Sequence, residues 1–273
     1  MTLYNQAKQL LEAEYKSNFE IVKESEYHRV FANEKILHSK QVAGAGNGIL
    51  KNEPYFQNKS AEFIDIAKTS ILLHDIYRFR EIVNMYNNGK HIDHSVEGYK
   101  FLSAIETFNS PLITIPIKHH GHMIEDFYTD DEWININDSE LKKDIEHILF
   151  AVRDADKIAN WHLMVNDVNT VKRLWAINNK TEDEQRFISE NIWEFFKNEQ
   201  IPPRENQKTT ADNILNTIAW LFDINYNYSV VFCKRLRIFE KFDQMLRELG
   251  FEEEKIKEIC LIVNNYITNR FSL

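Results

Sequence analysis

Ile71-Leu72-Leu73-His74-Asp75-Ile76 places a histidine and an aspartate side by side within an apolar run. A carboxylate entering a stretch this apolar is costly unless a cation or hydrogen bonds compensate it. Neighbouring helical residues point about 100° apart and do not normally share a partner, whereas one ion lying between them can take both. Working outward, single histidines stand at His38 and His94, a second doublet at His119-His120 and an aspartate at Asp156. Two doublets with isolated His and Asp on either side are what a metal cage built from helices looks like along a chain.

The rest of the sequence agrees with helices. Seven glycines and five prolines in 273 residues leave few breaks. Apolar positions recur at threes and fours in Ala61–Met85, where Phe63, Ile66, Ala67, Leu73, Ile76 and Tyr77 mark one face. Leu141–Trp161, Glu182–Phe196, Ala211–Leu249 and Glu252–Phe271 follow the same period. No βαβ alternation or internal repeat is visible. The expectation is an all-α fold: one domain spanning 1–273, with its core at about 28–165 and a helical extension at about 180–273. The extension carries no candidate chemistry and is expected to complete the core, cover the site or form an oligomer surface.

Composition narrows the function. A net charge of −9 disfavours a protein that lives on a nucleic-acid backbone, which needs clustered Lys and Arg. Cys233 and Cys260 offer neither a disulfide framework nor metal-type spacing. With no signal-like start and no window of roughly 20 apolar residues, a cytoplasmic protein with no membrane partner is expected. Gly44-Ala45-Gly46-Asn47-Gly48 resembles a phosphate loop in composition only and is read as a flexible turn after a helix carrying His38.

The candidate residues differ in specificity. His119-His120 precedes Gly121 and His122 and can equally be a polar helix end. Asp93 or Ser95 can cap a helix opening at His94, while Gly98 on the same face would admit a close neighbour. Asp154 and Asp156, two apart on a helix, face nearly opposite ways, so one at most serves a metal; Arg153 and Lys157 can pair with neighbouring acids.

Taken together, the order His38, His74-Asp75, His94, His119-His120, Asp156 resembles the HD-domain superfamily of metal-dependent phosphohydrolases. Leu72-Leu73-His74-Asp75-Ile76-Tyr77-Arg78-Phe79, Asp93-His94 with Gly98, and Arg153-Asp154-Ala155-Asp156-Lys157 carry the likeness. It covers roughly residues 28–165, and it departs at Tyr77, where many relatives have Gly. The resemblance implies an HD-domain helical bundle with a minimal metal site of His38, His74, Asp75 and Asp156, favouring Asp156 over Asp154. Relatives with two metals add ligands that here would be His94, His119 and His120, with His120 the better fit of the pair.

Imidazole and carboxylate ligands suit one or two ions of Mn, Fe, Co, Ni or Zn. With two, Asp75 is the natural bridge, and paired ions can activate water for phosphoester hydrolysis. Asp75 and Arg78 are thus the candidate catalytic pair. Arg78, four residues after His74, can reach the same pocket to hold a phosphate, or instead bridge to Glu81 or Asp154. Lys118 and Lys157 are alternative phosphate contacts. The expected partner is a small phosphorylated substrate of nucleotide class, and a homodimer is compatible with the chain. The alternatives are a di-iron HD-type oxygenase, an HD nuclease and a non-catalytic sensor of metal or nucleotide.

Overall fold

A computed structural model describes residues 1–175, 181 and 186–271, without the side chains of 173–175. Among the described residues there are helices and no strand. The chain divides into two compact units, Met1–Asp156 and Lys157–Leu273.

In the first unit, α1 (Leu3–Val22) starts where the Thr2 side chain accepts from the Asn5 amide. Helix α2 (Glu26–Asn52) and α3 (Pro54–Gln57) follow, then α4 (Ala61–Leu73), capped by Ser60 on the Phe63 amide. Helices α1, α2 and α4 pack against one another, and α1 and α2 also meet α5 (Arg78–Asn88). Helix α6 (His94–Ser103) lies along α7 (Pro111–His119), which in turn packs on α4. Two short helices, α8 (Ile124–Tyr128) and α9 (Asp131–Ile134), lead to α10 (Ser139–Asn166). Leu72, Leu73, Ile76 and Phe79 join Leu11, Ile36, Leu102 and Ile117 in one buried cluster, so the apolar positions around the His-Asp doublet are core.

The first unit departs from the sequence expectation at two places. The glycine-rich stretch is no turn: Gly44, Gly46 and Gly48 all lie inside α2. Gly46 is there for packing, because a Cβ would sit 2.7 Å from Ile71 Cγ2 on α4. The helix expected over Ala61–Met85 is interrupted after Leu73. Ile76 N donates to Leu73 O and Arg78 N to Asp75 O, both at 2.9 Å, so i→i+3 bonds tighten the chain between α4 and α5.

The second unit contains the end of α10, then α11 (Val168–Trp175), α12 (Glu190–Lys197) and α13 (Thr210–Ala219). Residues 182–185, within the helix expected over Glu182–Phe196, lie outside the described residues. The helix expected over Ala211–Leu249 is three: α13, α14 (Asn227–Arg235) and α15 (Ile238–Glu248), with a 3-10 turn at Trp220–Asp223. Arg237, at φ 56°, breaks the chain between α14 and α15. Helix α16 (Glu253–Arg270) packs on α15. The core of this unit includes Trp161, whose indole N–H donates to Thr217 O at 2.7 Å. Asp212 is fully buried and accepts from the Ser189 hydroxyl and the amides of Ser189, Lys208 and Thr209.

Candidate metal centre

Four helices of the first unit and the turn after α4 contribute to one cluster. His38 comes from the middle of α2, His74 and Asp75 from the turn, His94 from the first residue of α6, His120 from the C-cap of α7 and Asp156 from α10. The i→i+3 turn matters because it frees successive residues from the 100° helical step, so His74 and Asp75 both face the cluster. At the opposite end of the site, Asp93 caps α6 by accepting from the amides of Ser95 and Val96, which fixes where His94 starts. Where α6 meets α7, a Cβ on Gly98 would touch Ile117 Cγ2 at 3.4 Å, an ordinary contact, so the approach of the two helices does not require glycine there.

Three overlapping sets of donor atoms each fit within 4.8 Å: His38, His74 and Asp75; His74, His120 and Asp156; Asp75, His94 and His120. The Asp75 carboxylate joins the first and third. Its Oδ2 faces His74 Nε2 at 3.7 Å and His38 Nε2 at 3.9 Å, while Oδ1 faces His94 Nε2 at 3.0 Å and His120 Nε2 at 3.5 Å. Asp156 Oδ1 lies 2.9 Å from His38 Nε2 and 3.8 Å from His74 Nε2. The donors thus adjoin as two half-sites, His38, His74 and Asp156 on one side and His94 and His120 on the other, with Asp75 between them and His120 also within reach of His74 and Asp156.

The tautomers prepare these rings for a cation. His74 Nδ1 lies 2.9 Å from Ile71 O and His120 Nδ1 lies 2.7 Å from Ile117 O. A carbonyl only accepts, so each Nδ1 carries the proton and each neutral ring turns the lone pair of Nε2 toward the cluster. His74 is fully buried and its Nε2 has no hydrogen-bond partner. A buried lone pair with no donor is an expensive arrangement in a protein interior. A divalent ion among these nitrogen and carboxylate donors would satisfy it, so the residues present fit a transition-metal site.

The electrostatics agree. Burial pushes the His74 ring down to about 4 despite the pull of Asp75 and Asp156, and burial together with Arg78 does the same to His94. Both are neutral at pH 7, the form that binds metal. Burial by itself would raise the Asp75 carboxyl, but Lys35 and Arg78 overcome it and hold the group well below the usual carboxylate range. Asp156 is also held low, because its hydrogen bond and charge interaction with His38 outweigh burial.

Two cations flank Asp75. Lys35 Nζ lies 3.2 Å from Oδ2 and Arg78 Nε lies 3.4 Å from Oδ1, while Arg78 Nη1 also donates to buried Glu81 at 2.7 Å. The two alternatives for Arg78, facing the site or pairing with Glu81, are therefore realised together. Lys35 was not singled out in the sequence. Its signal is the spacing Lys35-x-x-His38, which puts both side chains on one face of a helix.

The remaining candidates fall elsewhere. His119 is in none of the three donor sets among the described residues; its Nε2 is 3.3 Å from Asp130 Oδ2 and its ring packs edge-on against Phe127. Lys118 bridges Asp130 at 2.7 Å and Glu132 at 3.3 Å, and Lys157 bridges Asp223 at 2.6 Å. Arg153 has a role in shaping the site. Its Nη1 donates to the backbone carbonyls of His119, His120 and His122, capping the end of α7 that presents His120. It sits one turn before Asp156, so a single turn of α10 braces one side of the cluster and contributes a donor to the other.

With this geometry in place, comparison with known families is specific: a model of the HD domain matches residues 36–161. Residues 36–161 are an HD domain. That stretch contains all six clustered residues, and HD domains are typical of metal-dependent hydrolases and bind divalent metals. No curated protein and no solved structure matches the chain. Among the described residues, no helix is long and apolar enough to cross a membrane.

Proposed function

We propose that this HD domain is a metal-dependent phosphohydrolase acting on a small phosphoester of nucleotide class, with His38, His74, Asp75, His94, His120 and Asp156 holding one or two of Mn, Fe, Co, Ni or Zn. The observation that carries the reading is the unsatisfied Nε2 of His74, buried at the centre of the donor set. Bound there, a divalent metal would polarise a phosphoryl oxygen and lower the pKa of water toward about 7. The protein supplies the rest. Arg78, anchored by Glu81, and Lys35 present positive charge beside Asp75, where a phosphate approaching the cluster would meet them. With a cation held at Asp75, Lys35 and Arg78 would share their counter-charge with it and would be available to an anionic substrate. The Nδ1–H bonds of His74 and His120 keep both rings in the orientation that aims Nε2 inward.

Elemental analysis of the purified protein, alongside His94→Ala and His120→Ala and with a screen of phosphomonoesters and phosphodiesters, tests the reading. Close to two metals per chain, reduced in both variants, with metal-dependent phosphate release, is the expected result. One metal per chain, insensitive to His94 and His120, would confine the site to His38, His74, Asp75 and Asp156. Protein that takes up no metal after loading with each of the five ions, or metal-loaded protein that releases no phosphate from any ester, would overturn it.

A further inference from the structure

The face of α2 that carries Lys35 and His38 continues toward the start of the helix with two aromatic side chains. At 100° per residue, Tyr27, Phe31, Lys35 and His38 fall on one stripe, with Glu34 at its margin. Phe31 is half-buried, packed on the cluster of Val22, Ala32 and Ile82, and Tyr27 is 53% exposed. The Tyr27 and Phe31 ring centroids are 6.3 Å apart. Tyr27 is not loose: the His28 ring meets it edge-on at 5.1 Å, and His28 is itself held edge-on by Tyr86 at 5.3 Å.

Lys35 joins this aromatic run to the metal centre. Its ammonium is 3.2 Å from Asp75 Oδ2 and 6.0 Å from the centroid of the Phe31 ring. A ligand reaching from one to the other must be anionic at the cluster and flat and apolar at Phe31 and Tyr27. The helical rise from Lys35 back to Phe31 is about 6 Å and back to Tyr27 about 12 Å, which brackets the span from the phosphate to the base of a nucleoside monophosphate. A nucleoside monophosphate has that combination. Scattered surface aromatics need no explanation. A braced pair in register with a cation that also touches the reaction centre does.

Resting on the phosphohydrolase reading, we propose that Tyr27 and Phe31 form the platform on which the base of a nucleoside monophosphate stacks while its phosphate lies at Lys35, Arg78 and the metal centre. Stacking accepts any base, since every base has a π face, so the platform selects nucleotides over other phosphomonoesters without strong choice among bases. Stacking on an aromatic side chain contributes roughly 1–3 kcal/mol per base, which is about a 5- to 150-fold preference.

The test is the ratio of kcat/KM for adenosine 5′-monophosphate to that for ribose 5-phosphate, which carries the same ester without a base. The full-length metal-loaded protein is compared with Tyr27→Ala, Tyr27→Trp and Phe31→Leu. The expected result is a wild-type ratio well above one that falls roughly tenfold in Tyr27→Ala, chiefly through KM for the nucleotide, and is kept in Tyr27→Trp. Tyr27 is on the surface, so its variants fold even where Phe31→Leu disturbs the packing beneath. A wild-type ratio near one, or a ratio unchanged by Tyr27→Ala, overturns the platform and leaves the phosphohydrolase intact. Turnover of neither ester, nor of any other phosphate compound, overturns both.

Discussion

Replacing Asp75 by Asn keeps the shape of the side chain and removes the one negative charge that faces both half-sites. That charge is 3.2 Å from Lys35 and 3.4 Å from Arg78, in a side chain 5% exposed. Removing one member of a buried ion pair costs about 3–5 kcal/mol. Lys35 and Arg78 retain 18% and 25% of their exposure and can turn toward water, so the low end, about 3 kcal/mol, applies. At about 2–4 °C per kcal/mol for a chain of this size, the stripped variant should melt about 6–12 °C below wild type. Metal reverses the comparison. At a hundred times its dissociation constant, an ion adds about 2.7 kcal/mol to a protein that binds it only when folded, raising the melting point of wild type by about 5–11 °C. The variant has lost the carboxylate common to two donor sets and should show almost none of that rise. The assay is thermal melting of EDTA-stripped protein with and without Mn or Ni, with far-ultraviolet circular dichroism verifying the helical fold and elemental analysis counting the metal. A variant whose melting point rises with metal as far as that of wild type would refute the placement of Asp75 at the metal. A stripped variant melting at or above wild type would refute the ion-pair account.

Three further perturbations have definite outcomes. Arg153→Met leaves the carbonyls of His119, His120 and His122 without that donor, so unfolding should become easier by about 1.5–3 kcal/mol in urea; metal loss should be greatest at the His94–His120 side, with Arg153→Lys recovering part of it. Gly46→Ala and Gly44→Ala should shift urea midpoints in opposite directions. The first forces Ile71 aside for a loss of about 1–3 kcal/mol against a propensity gain of up to about 1, while the second meets nothing within 4 Å and keeps the gain. The metal-free protein should also weaken in mild acid. His74 and His94 are held near 4 in the fold against an ordinary 6.5, so the unfolded chain takes up protons first. The stability they contribute is complete above about pH 6.5 and is lost as the pH falls toward 4, by about 3 kcal/mol for each ring at the bottom of that window. Equal urea midpoints at pH 7.5 and pH 5 would contradict this.

The helical class was legible because period and punctuation are local properties: the capping of α4 by Ser60 and of α6 by Asp93 needs nothing beyond neighbouring residues. The candidate residues were legible for a chemical reason, since His and Asp inside apolar runs demand a partner wherever the chain carries them. The resemblance favoured His120 over His119, but nothing in the sequence gave the physical reason. Adjacent residues leave a helix end about 100° apart, and only the packing of α7 turns one ring to Asp130 and the other to Asp75. Composition misread Gly44–Gly48 as a turn, because a glycine that admits Ile71 looks the same in sequence as one that bends the backbone. The interruption after Leu73 was hidden too: its i→i+3 bonds use residues that fit a helix equally well, and the packing of α4 and α5 against α1 and α2 selects the tighter turn. Lys35 and Arg153 acquire their roles from residues 40 and about 30 positions away. The amino-acid order by itself determines which residues carry charge and lone pairs; tertiary packing determines which of them face one another, because distance along a chain carries no information about distance across a core.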